Sequence, residues 1–248
     1  MDQGYEDRVV AFVDILGWSE ACRKSAIPGK KDLIEKLKKA ASDIKDYAKK
    51  FSPETKSVMF QAPGISDYSK SIHSSIEFSF FSDCFAVSAP SGNGKYIFDI
   101  VRWASDFLLN QGFLARGTIT LGLLHHFDNI IFGPALVDAV KCEKSAKFPR
   151  ILCMPSVIDF LEKGSWKQEK TITDCTGQLV VNIACGSSVN RNKHIKVIRA
   201  TIETMIANKE PEKFIDNWRY AEIVLPRMFA EYQSRKNREA QRQIMTRN

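Results

Sequence analysis

Two aspartates sit where the chain has no local reason to place a charge. Asp14 lies inside Val9-Val10-Ala11-Phe12-Val13-Asp14-Ile15-Leu16-Gly17, an apolar run that reads as a buried strand. Asp83 lies inside Phe78-Ser79-Phe80-Phe81-Ser82-Asp83-Cys84-Phe85-Ala86-Val87, two strand-like runs joined by a turn at Ser82-Asp83. An uncompensated carboxylate in an apolar interior costs several kcal/mol or shifts its pKa, whereas a shared divalent cation removes the penalty. The pair therefore reads as a metal site, and its hard oxygen ligands favour magnesium or manganese. Taken singly, each Asp reads equally well as a strand-end residue capping the next turn or helix.

The elements that would position these acids follow from periodicity. Leu33, Ile34, Leu37, Ala41, Ile44 and Ala48 recur at helical spacing and predict a long amphipathic helix after the first strand, ending near Pro53. Residues 61–75, rich in serine with Pro63 and Gly64, read as a loop. Tyr96 to Leu108 predict a second helix with one apolar face, and residues 114–122 alternate as a strand whose hairpin partner is Asn129-Ile130-Ile131-Phe132. His125 and His126 then fall at a polar hairpin tip, facing solvent. Pro134 opens a helix reaching Ala146. The resulting order predicts an α+β fold on the ferredoxin-like βαββαβ plan, with helices on one face of the sheet and both aspartates on adjacent central strands. Beyond it come a helix near 156–162, a strand at 179–183, and two helices near 192–208 and 212–240, with Pro226 kinking or bounding the last. This divides the chain into a catalytic domain over 1–190 and a helical extension with a basic tail over 191–248.

Composition narrows the function classes. No apolar run is long enough for a membrane span, and the polar first residues lack a signal peptide's core, which predicts a cytoplasmic protein. The cysteines at 22, 84, 142, 153, 175 and 185 form no C-x-x-C pair, so neither a disulfide framework nor a zinc finger is indicated. Net charge is +7, of which residues 234–248 carry +4, five basic side chains against Glu239. A solvated tail explains that excess better than a nucleic-acid surface, because aromatic interleaving is missing. Gly94-Lys95 does not complete a P-loop pattern.

With these elements in order, the sequence resembles the class III nucleotidyl cyclases. Phe12-Val13-Asp14-Ile15-Leu16-Gly17-Trp18-Ser19 is similar to that family's first metal motif and Ser82-Asp83 to its second, 69 residues apart with one long helix between. Phe132-Gly133 followed by a helix corresponds to the family's Gly and the helix bearing its transition-state Asn and Arg. Within the superfamily the chain most resembles the pyrimidine cyclases of the bacterial Pycsar anti-phage system, through Ala11 to Gly17, Phe81-Ser82-Asp83, Arg116 to Gly122, Phe132 to Leu136 and Phe148 to Leu152. Four positions depart from the family. Val137 and Lys141 stand where the Asn and Arg belong, and Ser79 and Ile130 replace the lysine and aspartate that read adenine.

The resemblance implies two divalent ions, Mn2+ or Mg2+, held by Asp14, Ile15 and Asp83, with nucleotide contacts from Gly17, Trp18, Ser19 and Phe80. Amides at the helix start after Ile15 would meet a triphosphate, and Gly17 would let the backbone approach it. Arg116 and Lys141 are the cations available to the phosphates. Arg116 reads alternatively as the partner of a core acid such as Asp83, and Lys141 as a solvated lysine near Asp138, Glu143 and Lys144. Trp18 reads alternatively as a core or dimer contact. Phe80 and Phe81 alternate, so one faces the core while the other is free to line a base pocket. The implied activity is conversion of UTP, or else CTP, to its cyclic monophosphate by a homodimer, signalling to a separate cyclic-nucleotide-responsive effector. A catalytically silent cyclase-like module is the competing reading.

Overall fold

Burial on both faces makes the first apolar run the centre of the molecule. The computed structural model describes residues 4–49, 76–127, 130–183 and 188–245. In β1 (Glu6–Leu16), Val9, Ala11, Val13 and Ile15 point into one hydrophobic core, and Val10 enters a second core on the opposite face. The larger core is closed by α2 (Lys31–Lys49) and α3 (Lys95–Asn110). Leu37, Ala40, Ile44 and Ala48 line its α2 side at the predicted helical spacing. A short helix, α1 (Trp18–Ser25), precedes α2.

β1 pairs antiparallel with β3 (Cys84–Pro90) and with β4 (Leu114–Phe127), and β2 (Glu77–Phe81) pairs antiparallel with β3. The spatial order β2-β3-β1-β4, with α2 and α3 as the two crossovers, is the expected ferredoxin-like plan. The sheet then continues past β4 through β6 (Ile151–Cys153), β8 (Leu179–Val181) and β7 (Thr171–Thr173), while β5 (Ile130–Phe132) pairs with the end of β4. Short helices α5 (Pro155–Lys163) and α6 (Lys167–Lys170) lead into β7.

Two expectations need correction. Helices do not lie on one face alone, because α4 (Pro134–Ser145) crosses the other, where Ala135 packs with Val10 and Leu124. Nor does β4 end near residue 122, so His126 lies in a strand rather than at a tip. His126 is only 4% exposed, with Ser88 Oγ 2.8 Å from Nδ1 and Ser79 Oγ 3.0 Å from Nε2. His125 Nδ1 lies 2.8 Å from the Gly4 carbonyl oxygen. The serine-rich loop predicted over 61–75 lies outside the described residues.

The helical C-terminal extension is present as α7 (Ser188–Ala207) and α8 (Glu212–Met245). Trp218, Ala221, Val224, Leu225 and Met228 of α8 form a separate core with Leu152 of β6, Val180 of β8 and Ile198 of α7. Pro226 lies within α8 and does not end it. Among the described residues no helix is long and apolar enough to cross a membrane.

Candidate metal centre

Strand register brings the acids together. Asp14 faces Cys84 on β3 and Arg116 on β4, so three side chains of different chemistry form one row across the sheet. β4 can approach this closely because residue 117 is glycine. A Cβ there would lie 2.4 Å from the Phe12 carbonyl oxygen, a backbone collision no rotamer relieves. Asp83 occupies the two-residue turn between β2 and β3, entered by Ser82 at φ 57°. The Ile15 amide donates to the Asp83 carbonyl at 2.8 Å, which fastens that turn to the end of β1. Gly17, at φ 89°, then breaks the strand and opens α1, a conformation that strains any residue with a Cβ.

Asp14 Oδ2 accepts from Arg116 Nη2 at 2.9 Å, and Asp83 Oδ2 accepts from Ser19 Oγ at 2.5 Å. The Cys84 thiol lies between them, 4.0 Å from Asp14 Oδ1 and 3.5 Å from Asp83 Oδ1. Arg116 also donates through Nε to Glu143 Oε1 of α4 at 2.6 Å, and that carboxylate is 6% exposed.

The electrostatics of the two acids differ. Burial is the main cause that lifts the Asp14 carboxyl to about 6; Arg116 opposes it, and the negative charges of Glu143 and Asp83 reinforce it. Asp83 moves the other way, below the usual carboxylate range, chiefly because Ser19 donates to it. Burial and the flanking carboxylates push the Cys84 thiol up to about 12, so it remains protonated at neutral pH.

The donor set fits a divalent ion. Asp14, Asp83 and Cys84 each offer a ligand atom, and these atoms all lie within 4.8 Å of one another. The carboxylates suit a hard cation, whereas Cys84 must first lose its proton to bind. Ile15 has its side chain in the core and meets this cluster only through its backbone.

The remaining candidates separate. Trp18 packs in the core, its ring 5.6 Å from that of Phe80 and 5.4 Å from that of Phe113. Phe80 thus faces the helices, and its neighbour Phe81, 42% exposed and 6.1 Å from Phe12, is the aromatic on the carboxylate face. Arg116 pairs with Asp14 rather than with Asp83. Lys141 is exposed on α4 and makes no ion pair among the described residues. Val137 is 50% exposed.

Sequence reading missed Glu143 as the second partner of Arg116. Ala135, Ala139 and Glu143, spaced by four, form the buried side of α4, so a carboxylate within that stripe was the available signal.

No family model matches the chain, and no curated protein does. Among solved structures the chain is similar to the adenylyl cyclase CyaB from P. aeruginosa, at 14% identity over 71% of this chain and 93% of that one, with a TM-score of 0.46. It is also similar to a bacterial light-regulated adenylyl cyclase, at 12% identity over 79% of this chain and 98% of the other, with a TM-score of 0.43.

Proposed function

We propose that this chain is a metal-dependent pyrimidine nucleotide cyclase that converts UTP to cyclic UMP and pyrophosphate. The observation that carries the reading is the meeting of Asp14 and Asp83 beside the start of α1, in the motif order of the class III cyclases and on a ferredoxin-like sheet. The substrate's 3'-oxygen forms a bond to the α-phosphorus as the bond to the β-phosphate oxygen breaks, pyrophosphate departs with the electron pair, and the hydroxyl proton passes to solvent.

Asp14 and Asp83 would hold divalent cations, which when bound lower the hydroxyl's pKa and neutralise charge on the leaving group. Ser19 orients Asp83 through its hydroxyl, and Ile15 holds the Asp83 turn through its amide. Unsatisfied amides at the start of α1 meet the triphosphate, with Gly17 keeping that approach free of a side chain. Arg116, and more remotely Lys141, supply positive charge to the phosphates. Phe81 offers a face for the base. Ser79 and Ile130, in place of an adenine-reading lysine and aspartate, support exclusion of purines.

The finer assignments rest on the Pycsar resemblance: uracil rather than cytosine, a role in anti-phage signalling, and a separate effector. A homodimer is supported further by Phe127, Ile130 and Phe132, which leave an apolar surface on the β4–β5 hairpin. Light scattering tests it, and a fully active monomer defeats it. The competing silent-module reading is favoured by Val137, which offers no polar group where the family has Asn. Incubation of the purified protein with each NTP and Mn2+, followed by mass spectrometry, decides between them. Cyclic UMP as main product supports the proposal and cyclic CMP overturns the choice of base. Cyclic AMP or GMP sinks the pyrimidine reading, and no product with any NTP favours the silent module.

A further inference from the structure

One guanidinium serves two carboxylates that differ in kind. Arg116 Nη2 bonds Asp14, a member of the candidate metal cluster, and Arg116 Nε bonds Glu143, which lies outside that cluster and is buried under α4. We propose that Arg116 is the resident counter-cation of Asp14 in the metal-free protein, and that Glu143 is the positioning residue that takes over the guanidinium when a divalent ion claims Asp14. This rests on the reading of Asp14 and Asp83 as metal ligands.

The geometry permits the exchange. Register puts Cys84 on one side of Asp14 and Arg116 on the other, so an ion entering toward Asp83 meets Asp14 from the Cys84 side. The guanidinium then sits across the carboxylate from a second cation, and their repulsion weakens metal binding unless it withdraws. Withdrawal needs little motion. Nε and Nη2 form one edge of a planar fork; split between two acids here, that edge can close on Glu143 alone as a bidentate pair. Glu143 in turn cannot release Arg116 without leaving an uncompensated buried charge, so the cation stays beside the site. By linkage, a phosphate that draws Arg116 off Asp14 raises metal affinity by the factor with which metal raises phosphate affinity.

Simple charge counting makes a different prediction, and a double-mutant cycle on the full chain separates the two. Mn2+ binding is measured by electron paramagnetic resonance of the free ion, without nucleotide. Both views expect Glu143→Gln to weaken binding and Arg116→Met to tighten it. For Arg116→Met combined with Glu143→Gln, which leaves net charge as in wild type, charge counting expects wild-type affinity. Competition for Asp14 expects the double variant to bind roughly threefold tighter or more. Affinity at or below wild type overturns the proposal.

A second readout needs no loss of fold. During a Mg2+ titration of the wild-type chain, the Arg116 Nε–H resonance, identified with Arg116→Lys, should persist and shift as the edge closes on Glu143. A resonance that stays unmoved as Mg2+ binds overturns the proposal. Asp14→Asn is the control for the underlying reading. If it binds Mn2+ like wild type, the metal assignment fails and the inference with it, whereas loss of binding together with an unchanged double variant removes the inference alone.

Discussion

Two polar clusters stand on β1 and β3, roughly 20 Å apart by strand rise, and they resolve their charges in opposite ways. At the Arg8 end, Arg8 donates to Ser88 Oγ, and His126 spans Ser88 and Ser79, all four residues being buried. Burial, with the Arg8 and His125 charges behind it, takes the His126 imidazole down to about 4, so the ring stays neutral. At the Asp14 end Asp14, Asp83 and Cys84 are partly open to solvent, and two carboxylates, Asp14 and Glu143, share one guanidinium with the Asp83 charge beside them. The difference teaches how to separate structural from chemical polarity on one sheet. A sealed, partnered network ties elements together, while an open one with surplus charge of one sign is poised for a ligand.

The largest expected contrast is in metal chemistry. Asp14→Asn or Asp83→Asn should reduce Mn2+-dependent turnover by roughly a hundredfold or more while the protein stays folded. Near-wild-type turnover in either variant would erase the distinction between the clusters. His126→Ala should do the reverse. Urea unfolding should show a loss of roughly 2 to 4 kcal/mol, from the cavity and the serines left unpaired, with Mn2+ affinity unchanged within about twofold.

Opposed pH dependences sharpen the comparison. The Asp14 carboxyl is raised in the fold from 3.8 to about 6, so the native state keeps a proton that the unfolded chain loses, and metal-free stability falls as pH rises across that window. The His126 ring is depressed from 6.5 to about 4, so the unfolded chain takes up the proton first and stability falls as pH drops through the same range. The two contributions therefore oppose each other in the wild type. Asp14→Asn should expose a stability that climbs from pH 4 to 6.5, and His126→Gln one that declines. Denaturant midpoints across pH 4 to 7 measure both, and parallel profiles for the two variants would refute the assignment. Mn2+ affinity should rise with pH through about 6, as Asp14 must shed its proton to bind.

The smallest effect is expected at Ser19. Ser19→Ala removes the donor that holds the Asp83 carboxyl low, so Mn2+ affinity should fall only a few-fold, about 1 kcal/mol, by calorimetry. A hundredfold loss would make Ser19 a ligand in its own right.

Much of this was legible in local pattern. Apolar alternation placed Asp14 in a strand, the Ser82-Asp83 turn followed from the runs on either side, and helical spacing located α2, α3 and α4. The order of elements was enough to reach the ferredoxin-like plan, because a period of 2 or 3.6 depends only on near neighbours in the chain. Choices between faces were not legible. Alternation says that Phe80 and Phe81 point opposite ways but not which way the helices lie, and packing against Trp18 settled that for Phe80. His126 looked like a hairpin tip because only pairing with β5 extends β4 that far, and only Ser79 and Ser88, from distant strands, seal its ring. Arg116 had several acids to choose from. Strand register put Asp14 beside it and α4 brought Glu143 over it, contacts spanning 102 and 27 residues of chain that only the tertiary fold creates.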